Sequence, residues 1–219
     1  FEELFFGELR HELRLGRYGT KATLAGSYIN TNPRDTLTPF DIVGTSYAFS
    51  AGLSHPLVRS RRENLFVNTD FTFRNSDLDS LGANLSYDKT RVVGVGASYD
   101  FVDFTSAINR AEARYARGLG IGTDVDNQPR SRANGQTVFD KFTGKLSRIQ
   151  PITGPWSLFG AASGQYSPDP LVASEEYTLG GSEFGSAFDS AEITGDSGVA
   201  GRVELQFNGA PQIDYLSQY

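Results

Sequence analysis

Apolar and polar residues alternate with a period of two along most of this chain. Leu9, His11, Leu13 and Leu15 interleave with Glu8, Arg10, Glu12 and Arg14. Val43, Thr45, Tyr47, Phe49, Ala51 and Leu53 interleave with small and hydroxyl residues from Gly44 to Ser54. The same pattern returns at Leu65–Arg74, Val93–Phe101 and Val199–Phe207. A period of two gives each segment one apolar face and one polar or small face, which is the signature of a strand. Weaker alternation near residues 20–30, 108–117, 138–149 and 156–166 raises the expected total to about nine strands. The first segment, rich in Glu, Leu and Arg, has the composition of an amphipathic helix. Its strict alternation predicts a strand instead.

The connections also alternate. Short turn-rich links are expected at Leu15–Thr20, His55–Glu63, Asp103–Ile108 and Gln150–Pro155, with Pro56, Pro151 and Pro155 placed in them. Longer polar links are expected at Asn30–Phe40, Asn75–Lys89, Gly118–Gln136 and Ser167–Ser197. Short turns at one end and long loops at the other are the mark of an outer-membrane barrel, whose long loops face outwards. A soluble β-sandwich or β-rich binding domain has no reason for that regularity. We therefore expect an all-β, antiparallel transmembrane barrel fold, with residues 1–219 forming one unit.

The last of these links, 167–197, is the most informative. Loops of such length without their own repeating pattern are usually functional or disordered. Tyr177, Phe184 and Phe188 argue for order, because disordered segments are poor in aromatics.

Composition narrows the function. The chain has 219 residues, a formal charge of −6, no cysteine and no methionine. Without cysteine there is no disulfide framework, thiolate metal site or cysteine nucleophile. The acidic balance argues against a nucleic-acid partner, whose footprint is a basic surface. The run Arg59-Ser60-Arg61-Arg62 reads more simply as a solvated turn. No apolar run approaches the ~20 residues of a spanning helix. The missing methionine and a start in mid-pattern at Phe1 lead to the expectation of an internal piece of a longer protein.

Candidate chemistry is sparse. His11 and His55 stand on different strands without ligand-spaced partners, so neither a metal site nor a catalytic one is expected. The Gly195-Asp196-Ser197-Gly198 string lacks the partners of a serine-protease triad. Glu175 and Glu176 are adjacent and point opposite ways, which suggests solvated loop charge. Neither Gly94-Val95-Gly96 nor the 118–122 glycine run precedes a helix, so no nucleotide-phosphate cradle is expected. Glycine on an inner barrel face leaves room inside the lumen. Arg10, Arg14, Arg74, Arg110, Arg114, Arg148 and Arg202 are candidate lumen-lining residues. Neither an enzyme nor a cofactor is expected.

Certain strings carry a resemblance to a known family. They are residues 53–61 (Leu-Ser-His-Pro-Leu-Val-Arg-Ser-Arg), 146–151 (Leu-Ser-Arg-Ile-Gln-Pro) and 163–165 (Ser-Gly-Gln). With them go 174–177 (Ser-Glu-Glu-Tyr), 179–181 (Leu-Gly-Gly) and 192–196 (Glu-Ile-Thr-Gly-Asp). In these the chain resembles the barrel of two-partner secretion transporters of the haemolysin-activator type, relatives of the outer-membrane assembly factors. The resemblance implies about nine strands of a sixteen-stranded barrel, roughly strands four to twelve, preceded elsewhere by a plug helix and periplasmic capture domains. It implies an outer-membrane pore that passes a partner exoprotein to the cell surface, surrounded by outer-membrane lipid. A passive porin or an assembly insertase are the alternatives. It also implies that the 167–197 loop folds back into the lumen. Gly180, Gly181, Gly195 and Asp196 form its motif, and Phe184, Gly185, Ser186, Ala187, Phe188 and Asp189 form its tip. The family pattern places arginine where this chain has Ser186.

Overall fold

The structure is a computed structural model that describes residues 3–33, 35–123, 129–185, 189 and 191–209. Nine strands form one antiparallel sheet in chain order. They are β1 (Leu4–Leu15), β2 (Thr20–Thr31), β3 (Ile42–Arg59), β4 (Glu63–Ser80), β5 (Ala83–Val102), β6 (Ile108–Gly118), β7 (Asp140–Thr153), β8 (Trp156–Tyr166) and, after the long loop, β11 (Gly198–Phe207). Within that loop β9 (Tyr177–Leu179) and β10 (Ile193–Gly195) pair as a small separate ribbon. The alternating segments all become strands, and the first is a strand from Leu4 to Leu15 paired with β2.

The register fixes the two faces, since directly opposed residues share one. Arg14 lies opposite Lys21, Lys21 opposite Ser54, Ser54 opposite Asn68, Asn68 opposite Gly96 and Gly96 opposite Arg114. That polar row defines the inner face, on which the long loop lies. The outer face carries the other set. Leu9 is 79% exposed, Val199 81% and Val203 75%. So much contiguous apolar surface is unsuited to water and suited to hydrocarbon, where strand backbones are satisfied by their neighbours. Polar contacts bracket this apolar face. At the loop end of β6 and β7, Tyr115 donates to Asp140 at 2.5 Å and Arg117 pairs with it at 3.2 Å. At the turn end, Arg148 meets Asp103 at 2.6 Å and Asn109 at 2.9 Å.

Two sequence expectations change here. The polar stretch Asn75–Lys89 is no long loop: β4 and β5 run on as a ladder to a two-residue turn at Leu81 and Gly82. Both turn residues have positive φ, 51° and 74°, the geometry that matches strand twist in a tight hairpin. Polar residues on both faces beyond the bilayer removed the alternation while leaving the backbone pairing intact. Pro56 and Pro151 lie inside β3 and β7, each beside a register shift. A bulge is where a strand tolerates a residue with no N–H to donate.

The small buried core sits on the inner face. Val92, Ala116, Phe139 and Leu171 cluster there, with Leu171 contributed by the long loop. That part of the inner face is therefore packed against the loop.

Candidate functional site

The inner wall grips the long loop through side chains from four strands and a second loop. Lys141 on β7 reaches the Glu175 carboxylate at 2.6 Å and its carbonyl at 3.1 Å, both side chains being nearly buried. Lys145, two inward positions along, meets Glu183 at 2.7 Å in the open. Arg202 on β11 donates to the Ser182 carbonyl at 3.0 Å, and Arg74 on β4 to the Ser174 carbonyl at 3.5 Å. Gln165 on β8 donates to the carbonyls of Glu175 and Asp196, at 3.0 and 3.2 Å. Alternation places all of these on one face, which is why the polar half of each strand pattern has a function.

The root of the loop is clamped by Arg132, from the connection between β6 and β7. Its guanidinium contacts Asp196 at 2.5 Å, Glu176 at 3.2 Å and the Leu171 carbonyl at 2.7 Å. The Leu171 amide donates to Asp196 at 2.8 Å, and Gln136 donates to the Pro170 carbonyl at 2.8 Å. Charge-assisted bonds of this kind hold more firmly than neutral ones. The hydrogen bond from Arg132 is the main reason the Asp196 carboxyl lies below its ordinary range, and the same bond to Asp196 raises Arg132. Beside it Tyr177 shares a hydrogen bond with Ser163 at 2.7 Å, and its ring occupies the space that a side chain at Gly198 would need.

Glu175 and Glu176 are not the solvated loop charge expected of them. One finds Lys141 and the other Arg132, and the Glu176 side chain is only 8% exposed. Of the loop motif, Asp196 is the root anchor and Gly195 ends β10. Gly180 and Gly181 take positive φ, 122° and 86°, and the Gly180 amide donates to the Phe184 carbonyl at 3.0 Å. At the tip, Phe184 lines a cavity, Gly185 takes φ 88°, and the Asp189 amide donates to Glu192 at 3.1 Å. Ser186, Ala187 and Phe188 lie outside the described residues.

Of the seven candidate arginines, Arg10, Arg14, Arg74, Arg110, Arg114 and Arg202 stand on the face that holds the loop. Arg110 is opposite Ser147, Ser147 opposite Ala161, and Ala161 opposite Arg202. Arg148 does not join them. It shares the outer face with Phe142 and Leu146 and sits at the turn end, bound to Asp103, Asn109 and Thr105. Hydrogen bonds from Thr105, then Arg148 and Asn109, hold the Asp103 carboxyl well below its usual range. Seven arginines of similar surroundings in sequence thus divide by strand parity alone.

Arg114 explains the glycines of β5. It reaches across β5 to Asp70 on β4, with Nε at 3.0 Å and Nη2 at 2.6 Å from the two carboxylate oxygens. A Cβ built on Gly94 would collide with the guanidinium, so the room that glycine leaves is filled by this crossing side chain. Between wall and loop remains a cavity of about 480 Å³ lined by Asp70, Arg114, Thr143, Lys145, Tyr177 and Glu183, among others. His55 shares a hydrogen bond with Thr20 at 2.8 Å, a clasp between neighbouring strand ends.

Comparisons with known proteins agree with this architecture. The family model described as haemolysin secretion/activation protein ShlB/FhaC/HecB matches residues 9–218. The outer membrane transporter CdiB of Dickeya dadantii (strain 3937) is 31% identical over 115 residues, which is 52% of this chain and 20% of that protein. Among solved structures, CdiB from Escherichia coli superposes with a TM-score of 0.77 at 21% identity, covering 93% of this chain and 38% of its own. CdiB from Acinetobacter baumannii superposes at 0.71 and 18% identity, covering 95% and 37%. The chain thus spans a fifth of the curated relative and under two-fifths of each solved chain. The nine-stranded sheet is an arc of an antiparallel transmembrane β-barrel.

Proposed function

Since the chain belongs to the ShlB/FhaC/HecB haemolysin secretion/activation family, we propose that it forms part of an outer-membrane pore through which a partner exoprotein crosses to the cell surface. One observation carries this reading: a long loop is folded onto the polar face of the sheet and pinned there by charged wall residues. A polar inner wall lets an unfolded chain slide without sticking, because exposed peptide groups find exchangeable partners at every level. The pinned loop occupies the path, so passage requires it to move or to be bypassed. Its distal contacts, Lys145 with Glu183 and Arg202 with the Ser182 carbonyl, are exposed, and exposed pairs hold weakly, ~0–1 kcal/mol each. Its root, with Arg132, Lys141 and the buried cluster, is firm. The tip can lift while the root stays.

The six inward arginines and the facing carboxylates make the lumen a mixed-charge surface that has no preference for one sequence. We assign the drive to folding of the exoprotein outside the cell, with no nucleotide used. The outer apolar face sits in outer-membrane lipid. The test is to delete the gene in its source bacterium and compare surface and periplasmic proteomes. A large exoprotein should vanish from the surface and accumulate or be degraded in the periplasm. An unchanged surface proteome with reduced uptake of small solutes would replace secretion with passive conduction.

A further inference from the structure

The basic run at the β3–β4 turn has a built setting that a solvated turn does not need. Ser60 fixes the backbone: its hydroxyl accepts from the Arg62 and Glu63 amides at 3.2 and 3.0 Å, and its own amide donates to the Glu63 carbonyl at 2.9 Å. This presents Arg61 and Arg62 at the rim. Among the described residues neither guanidinium meets a carboxylate. The adjacent carboxylate, Glu63, accepts instead from Tyr99 at 2.7 Å, and Asp103 is neutralised by Arg148 at 2.6 Å. The neighbouring acids are thus occupied, while Arg61 and Arg62 have no carboxylate partner among the described residues.

Beneath them lies an aromatic floor. Tyr99 and Phe101 stack at 4.8 Å on the outer face, and Phe104, on the neighbouring β5–β6 turn, is 96% exposed. These residues and Ser60–Glu63 line an open groove of about 650 Å³. In chain order the end of the barrel with short turns faces the periplasm. A groove there, with unpaired guanidiniums above and aromatic rings below, matches an amphipathic ligand lying at the bilayer boundary. Guanidinium presents a planar fork to phosphate oxygens, and aromatic rings favour the headgroup level.

We infer that the Ser60–Arg62 turn and the β5–β6 turn form a headgroup site for an anionic phospholipid of the periplasm-facing leaflet. The inference rests on the outer-membrane reading above. Occupancy would anchor the rim in the bilayer at a fixed height.

The test uses the full-length protein reconstituted into nanodiscs holding equal amounts of dioleoyl phosphatidylglycerol and dioleoyl phosphatidylethanolamine. Lipids retained on mild release are counted by native mass spectrometry. Each arginine near an anionic surface is worth about a five-fold change in partitioning. Wild type should therefore retain phosphatidylglycerol preferentially. Arg61→Gln should lose about five-fold of that preference, and the Arg61→Gln/Arg62→Gln pair about twenty-five-fold, with heat-modifiable migration unchanged. Wild type and double variant retaining the two lipids alike would overturn the site while leaving the pore reading intact. An unchanged lipid ratio with weakened docking of the periplasmic domains would also overturn it, in favour of a protein partner. Failure of wild type to insert as a heat-modifiable barrel would sink both readings together.

Discussion

Replacing Arg132 with alanine should free the root of the long loop and leave the sheet intact. The side chain bonds Asp196, Glu176 and the Leu171 carbonyl at once. Its loss strands two carboxylates that no other described cation contacts. Breaking a fully buried pair costs about 3–5 kcal/mol. Here Glu176 is buried at 8% exposure, but Arg132 and Asp196 are 36% and 30% exposed, so solvent screens part of the loss. A penalty of about 2–3 kcal/mol results, which multiplies the population with a detached root by roughly 30 to 150. Lys141, Gln165 and the Val92–Leu171 cluster remain, so detachment is local. Hydrogen–deuterium exchange on the full-length protein reads this directly. The Leu171 and Gln136 amides, which donate to Asp196 and to the Pro170 carbonyl, should exchange faster by that factor, while β4 and β5 amides stay protected. Arg132→Lys should fall between, since it keeps the charge and loses the fork. Unchanged protection at Leu171, or uniform loosening of the sheet, would refute the reasoning.

Other outcomes follow from the same contacts. Gly94→Ala should displace Arg114 from Asp70, because the new methyl meets the far end of a flexible side chain. The barrel should still fold, and the released Asp70 carboxylate should couple faster to an amine under a water-soluble carbodiimide; unchanged coupling would count against the crossing. Asp196 is depressed below its ordinary 3.8 by Arg132, so its contribution is complete above about pH 4 and is lost as pH falls through the lower folded-state value. Loop protection should therefore be flat from pH 5 to 8 and decline only in stronger acid, and a loss near pH 6 would contradict this. Ser186→Arg in the full-length protein should raise secretion, since a guanidinium can pair with a wall carboxylate where serine offers one hydroxyl; equal secretion by both would remove that residue from the account.

Much of this fold could be read from sequence because the bilayer enforces a period of two. Wherever a strand crosses hydrocarbon, one face must be apolar, and β3, β4, β5 and β11 announce themselves. Beyond the bilayer that constraint ends. The outer halves of the β4–β5 hairpin, polar on both faces, resembled a loop although their backbones pair to Leu81 and Gly82. Arg148 stands apart from the other candidate arginines because polarity alone does not give parity, and a rim residue on the outer face is as polar as one on the inner face. Nothing in the sequence pattern singles out Arg132 or Lys141. Their partners lie 64 and 34 residues away, and only the fold brings them together. The loop itself was legible through its aromatics and motif, as was the space left by Gly94, though not the arginine that fills it.

The most direct measurement of the proposed function is site-specific photocrosslinking from the wall of the full-length protein to a candidate exoprotein stalled by a fused folded domain. Crosslinkers at Ser98, Glu112 and Thr143, on the inner face, should each capture the moving chain. Crosslinkers at Ala97, Ala113 and Phe142, one residue away on the outer face, should capture none. Capture from both faces alike, or from neither, would contradict passage through this arc of the barrel.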